Sequence, residues 1–134
     1  MREAELIERV SEYLSLELPL VFREIPMLGR YVDVVGYNPD TRRLVMVEGK
    51  TVNWRRAIRQ AMACRLATDE VYIAMPEALV HRVQKVVLDE AGVGLLSVGE
   101  GVVKVSQPSA QSVRSDYYSG QACSLLDRIN NRAI

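Results

Sequence analysis

Apolar residues recur at helical spacing over residues 3–16, where Leu6, Ile7, Val10, Tyr13 and Leu14 form one stripe. Pro19 ends that helix, and the period then changes. Residues 20–25 read as a first strand, closed by Pro26 and the Leu28-Gly29 turn. Residues 31–37 and 43–50 are Val-rich runs separated by Asn38-Pro39-Asp40-Thr41, which predicts a hairpin. Asn53 is placed to cap a second helix, and Trp54, Ala57, Ile58, Ala61, Met62 and Leu66 make its sheet-facing stripe. Gln60 and Cys64 fall at one edge of that stripe, and Arg55, Arg56 and Arg59 lie away from it. Residues 70–75 predict a fourth strand ended by Pro76. Residues 77–91 predict a third helix, with Val80, Val83, Val87 and Ala91 as its buried line and Gly92 and Gly94 as its stop. Two short strands follow at 95–98 and 102–105. From Ser106 the composition turns to Ser, Gln and Pro, so 106–119 reads as a linker and 122–130 as a short helix. The predicted order is α-β-β-β-α-β-α-β-β, a mixed sheet flanked by helices. One domain covers 1–105, and the unit 106–134 packs on it or on a partner through Leu125, Leu126 and Ile129.

Composition narrows the classes. At 134 residues, with 49% apolar and 25% charged residues, the chain is one globular domain and not a disordered segment. A formal net charge of zero excludes a polyanion binder that works by bulk charge. Locally the balance differs. Residues 41–66 carry Arg42, Arg43, Lys50, Arg55, Arg56, Arg59 and Arg65 against Glu48 alone. Such a stripe suits a phosphodiester substrate, and it equally makes a solvated face. Cys64 and Cys123 have neither zinc spacing nor a disulfide framework, and His81 stands alone. No apolar run approaches a membrane span, and Met1-Arg2-Glu3 leads straight into a helix, so the expectation is an intracellular, cytoplasmic protein.

The candidate chemistry sits in the hairpin. Glu48 and Lys50 are two residues apart and share a strand face, and pairing through the turn brings Asp33 beside them. Two carboxylates about 4 Å apart repel by roughly 4 kcal/mol at an effective dielectric near 20. Such a pair takes a proton, a counter-charge or a shared cation. A divalent metal would resolve the conflict and leave Lys50 to orient or deprotonate a water. The alternative is a salt bridge from Lys50 to Glu48 or Asp33 at a solvated strand end.

These residues resemble the PD-(D/E)XK nuclease superfamily, the restriction-endonuclease-like fold. Asp33 matches the acid of the second core strand, Glu48-Gly49-Lys50 the Glu-x-Lys triplet, and Trp54 to Ala61 the following helix with its glutamine, Gln60. The likeness spans roughly residues 5–98. It departs at Val32, where the eponymous proline is absent, at Gly49, where an apolar side chain is usual, and at Cys64, where some branches carry an aromatic residue. The resemblance implies Mg²⁺ or Mn²⁺ held by Asp33, Glu48 and the Gly49 carbonyl, with Lys50 positioning the attacking water. It further implies that Glu5, with Glu8 as competitor, holds a metal-bound water as the first-helix acid, that Gln60 orients Lys50 or phosphate, and that Arg55, Arg56 and Arg59 contact nucleic acid. The expected activity is metal-dependent hydrolysis of DNA phosphodiester bonds, structure- or end-directed. The small surface for gripping a duplex implies a homodimer or a larger assembly. The other expectation is a catalytically silent domain of this fold that binds nucleic acid or protein.

Overall fold

Six strands hydrogen-bond in sequence order into one sheet: β1 (Leu20–Met27), β2 (Arg30–Asn38), β3 (Arg43–Gly49), β4 (Glu70–Pro76), β5 (Gly94–Val98) and β6 (Val102–Ser106). The computed structural model describes residues 1–132; residues 133 and 134, the end of the predicted C-terminal unit, lie outside the described residues. The first three strands form antiparallel hairpins, β3, β4 and β5 run parallel, and β6 returns antiparallel. Each parallel step needs a crossover. Helix α2 (Trp54–Cys64) supplies the first, and a 3-10 turn (Glu77–Arg82) with helix α3 (Lys85–Ala91) supplies the second. The mixed sheet flanked by helices expected from the periodicities is the observed architecture.

Each face of the sheet has its own cover. Helix α1 (Glu3–Ser15) lays Leu6, Val10 and Leu14 on Val34, Val45, Val47, Tyr72 and Leu96. Helices α2 and α4 (Asp116–Arg132) close the opposite face over Val35, Tyr37, Met46, Ile73 and Met75. Strand β3 alternates between the two cores: Val45 and Val47 meet α1, and Leu44 and Met46 meet the α2 side. The same alternation carries Glu48 towards α2.

Four expectations change. The predicted third helix over 77–91 is broken at Val83 and Gln84, whose backbone is extended; it is a 3-10 turn and then two turns of α-helix. Its buried residues are Leu88 and Ala91, while Val80, Val83 and Val87 are only partly covered. The predicted stripe of α2 also shifts: Cys64 is fully buried, whereas Met62 and Leu66 are exposed, Leu66 on a groove below α4. The C-terminal helix starts at Asp116, within the stretch read as a linker. The preceding residues are tied down by Ser109 N–H to Gly92 O, Ser115 N–H to Leu66 O, and Arg65 to the Gln111 carbonyl.

Helix α4 belongs to the domain's own core. Ala122, Cys123 and Leu126 are buried against it, and the hydroxyl of fully buried Tyr37 donates to Asp127 Oδ1 at 2.8 Å. Leu126→Ala is therefore expected to cost about 2–5 kcal/mol in a single cooperative urea transition. A loss below about 0.5 kcal/mol would mean that α4 undocks without unfolding the sheet. Among the described residues, no helix is long and apolar enough to cross a membrane.

Candidate functional site

The site forms where the β2–β3 ladder opens. Val34 pairs with Val47, and one step further along the same register Asp33 stands opposite Glu48. On its other side β2 pairs with β1 at Val34 and Val32 but not at Asp33, opposite Glu24, whose φ is 52°. Glu24 is exposed and stays out of the cluster. Asp33 thus lies at a gap in both ladders. Its Oδ2 accepts the backbone N–H of Gly49 at 2.9 Å, which satisfies a donor that the open ladder leaves free. That bond fixes the carboxylate and leaves its second oxygen for another partner.

Glu48 is the anomaly of the core, at 1% relative exposure. Arg30 Nη2 stands 2.8 Å from its Oε1 as an ion pair. Among the described residues, neither Glu48 oxygen receives a hydrogen bond of acceptable angle, and Arg30 Nε is also buried without a partner. Burial, and then the negative charge of Asp33, push the Glu48 carboxyl up to about 8; Arg30 and Lys50 pull the other way and do not win. The carboxylate repulsion expected from the sequence is therefore present, and Glu48 bears it.

Lys50 continues the parallel ladder through its N–H to Ala74 O at 3.1 Å. Its Nζ lies 3.5 Å from Glu3 Oε1, so its direct ion pair is with the first turn of α1 and not with Glu48 or Asp33. Its charge still lowers the Glu48 pKa. Glu5 instead pairs with Arg9, which donates to the Gly99 carbonyl, and Glu8 is exposed. The acid that α1 brings to Lys50 is Glu3, at the helix start, where a negative charge also favours the dipole. The N-terminal run of glutamates concealed which one turns inward.

Helix α2 forms the wall. Asn53 caps it, accepting the Arg56 N–H as expected. Gln60 is half-buried, and its Oε1 is buried without a partner. One turn later the Cys64 thiol is pushed up to about 12 by burial and then by the charge of Glu48. Gly49 explains its own departure from the resemblance. A Cβ there would stand 2.8 Å from Leu6 Cδ2 and 2.8 Å from Ile7 Cδ1, so α1 fills the space that an apolar side chain would take. Because Leu6 is fully buried, Gly49→Val is expected to destabilise by about 1–3 kcal/mol, read as a lower urea midpoint.

The basic stripe divides by role. Arg43 is locked to Glu70 through two nitrogens, at 2.9 and 2.8 Å, and also reaches Glu17. Arg65 holds the carbonyls of Ala91 and Gln111. Arg55, Arg56 and Arg59 are exposed, and Arg55 lies 4.4 Å over the Trp54 ring while bonding Gln84. A groove of about 1030 Å³ is offset from the carboxylates. It runs between the Met27-Leu28-Gly29 turn, the end of α2 and the Tyr117–Tyr118 start of α4.

Among the described residues, no three acidic, histidine or cysteine side chains gather as a metal-binding group. The site offers two carboxylates, one of them with both oxygens unbonded, and the main chain between them. That donor set fits a Mg²⁺-like ion, which takes one or two carboxylates and fills its other positions with water or substrate oxygens.

No family model matches the chain, and no curated protein matches it. A solved protein of unknown function from Silicibacter pomeroyi superposes with a TM-score of 0.72, over 99% of this chain and 89% of that one, at 16% identity. That likeness is one of fold alone.

Proposed function

We propose that this chain is a metal-dependent nuclease that hydrolyses DNA phosphodiester bonds, in a structure- or end-directed manner. The observation that carries the reading is the Asp33–Glu48 pair at the mouth of β3: Glu48 is buried, Asp33 is half-buried, neither Glu48 oxygen accepts a hydrogen bond among the described residues, and Lys50 follows two residues on. In this reading Asp33 and Glu48 hold Mg²⁺ or Mn²⁺, assisted by the Gly49 carbonyl. The ion supplies Lewis acidity and charge neutralisation at the phosphodiester. Lys50 orients the attacking water or, once it has shed its own proton to solvent, takes one from it; as an ammonium, steadied by Glu3, it offsets charge developing on phosphate. Gln60 presents its unbonded Oε1 to the same water or to Lys50. The exposed Arg55, Arg56 and Arg59 hold flanking phosphates as point charges. Action within the cytoplasm, as a homodimer or within a larger assembly, belongs to the same reading.

One observation favours a second reading. Arg30 already gives Glu48 a counter-charge, as a silent domain that binds nucleic acid or protein would require. The two are separated by incubating labelled single-stranded, duplex, flap and junction DNAs with the protein and Mg²⁺ or Mn²⁺. Cleavage that needs the metal is the expected result, and the preferred DNA shape identifies the substrate. No cleavage of any DNA, with no heat of Mn²⁺ binding, would leave the silent module.

A further inference from the structure

Arg30 was not among the residues that the triplet pointed to, yet among the described residues it is the one that pairs directly with Glu48. We infer that Arg30 is the site's built-in cation: its guanidinium stands where a divalent metal would stand, and the metal binds Asp33 and Glu48 only as Arg30 swings out. The inference rests on the metal-dependent reading above.

Three features support it. The pair is close, at 2.8 Å, but poorly bonded: Arg30 Nε has no acceptor, and neither Glu48 oxygen has a well-aligned donor. A guanidinium seated for structure normally uses its fork on both carboxylate oxygens. The second feature is charge. With both carboxylates ionised, the one guanidinium beside Glu48 leaves a negative charge uncompensated, because the ammonium of Lys50 is paired with Glu3. A divalent ion cancels both carboxylates and attracts each of them about twice as strongly at equal distance. The third is an exit. The Arg30 side chain is 20% exposed against 1% for Glu48, so the guanidinium reaches in from the solvent side. Arg30 also begins β2, directly after the Leu28-Gly29 turn, where both residues have positive φ. Swinging out therefore takes rotation about the side-chain bonds of one residue beside a hairpin turn and gives up the Arg30 Nη2 bond to the Tyr31 carbonyl, at 3.0 Å.

The test is calorimetric titration of the full chain with MnCl₂, without DNA, for the wild type, Arg30→Met and Arg30→Lys. Met keeps the aliphatic bulk and removes the competing charge; Lys keeps a charge but loses the planar fork. Arg30→Met is expected to bind Mn²⁺ at least about ten-fold more tightly, equal to about 1.4 kcal/mol. Arg30→Lys should show a smaller gain in the same direction. An Arg30→Met protein that folds only with Mn²⁺ present supports the inference equally, because the metal then replaces the lost guanidinium. If Arg30→Met does not fold even with Mn²⁺, the Arg30→Lys affinity decides alone. Wild-type binding that neither substitution strengthens overturns the role of Arg30 and leaves the metal site standing. Absence of Mn²⁺ heat in every folded protein overturns the metal site as well.

Discussion

Lys50→Ala is expected to lower metal-dependent DNA cleavage by about 10²–10⁴-fold, the range for removal of a positioned proton-transfer group. Mn²⁺ binding should survive, because the carboxylates remain and the Asp33 bond to the Gly49 N–H does not involve the lysine side chain. The backbone also tolerates the change: the Lys50 N–H to Ala74 O bond is main chain on both sides. The side chain is only partly covered, at 27% exposure, and it pairs with a glutamate that is itself half exposed. Loss of packing is therefore small, and a fall in rate reports chemistry and not unfolding. Lys50→Arg should recover little. A guanidinium keeps the charge but does not give up its proton near neutral pH, so charge alone would not restore the rate. Cleavage by Lys50→Ala at the wild-type rate would show that a group other than Lys50 handles the water. Single-turnover assays at saturating Mn²⁺ make that comparison without interference from product release.

How far the sequence speaks for this site depends on the range of the interaction. The hairpin turn, the two Val-rich strands and the Asn53 cap are local signals, and β2, β3 and α2 form at the expected positions. Once those elements stand, the register fixes Asp33 opposite Glu48 without further information. The partners that set the charge state are not local. Arg30 meets Glu48 from a turn eighteen positions earlier, and Glu3 meets Lys50 from another helix, so no periodicity announces either. Met62 and Leu66 fit the helical stripe as well as Ala57 and Ile58 do, yet the arc of α2 facing the sheet is narrower than the stripe and leaves Met62 exposed, and the helix ends at Cys64 before it reaches Leu66. Helix α4 escaped at its start because Ser, Tyr and Gly120 carry weak helix propensity; docking of Ala122, Cys123 and Leu126 on the sheet overrides it.

The second large effect is a pH dependence that belongs to Glu48. Its carboxyl sits near the ordinary value of 4.5 in the unfolded chain and is pushed up to about 8 in the folded one, by burial and by Asp33. Between those values the folded protein holds a proton that the unfolded chain has released. Stability must then fall as pH rises across this window, by at most about 1.4 kcal/mol per pH unit. The full contribution is present below 4.5 and gone above about 8. Summed over the window, the loss amounts to roughly 5 kcal/mol at its upper bound. Other groups titrate in the same range, so the informative quantity is the difference between two proteins. Glu48→Gln, which carries a neutral group of the same shape, should remove this decline. Urea unfolding at pH 5 and at pH 8.5 should give a wild type that loses several kcal/mol more than the variant does. Parallel changes in the two proteins would mean that Glu48 titrates as an exposed carboxyl. Added Mn²⁺ separates the two proteins further. Above pH 8 wild-type Glu48 is an anion beside Asp33, and a divalent cation there relieves the repulsion that the proton relieved below. The metal should therefore restore wild-type stability at pH 8.5, by an amount set by its concentration over Kd, and do far less for Glu48→Gln. The proton at low pH and the cation at high pH are then two occupants of one carboxylate pair, each excluding the other.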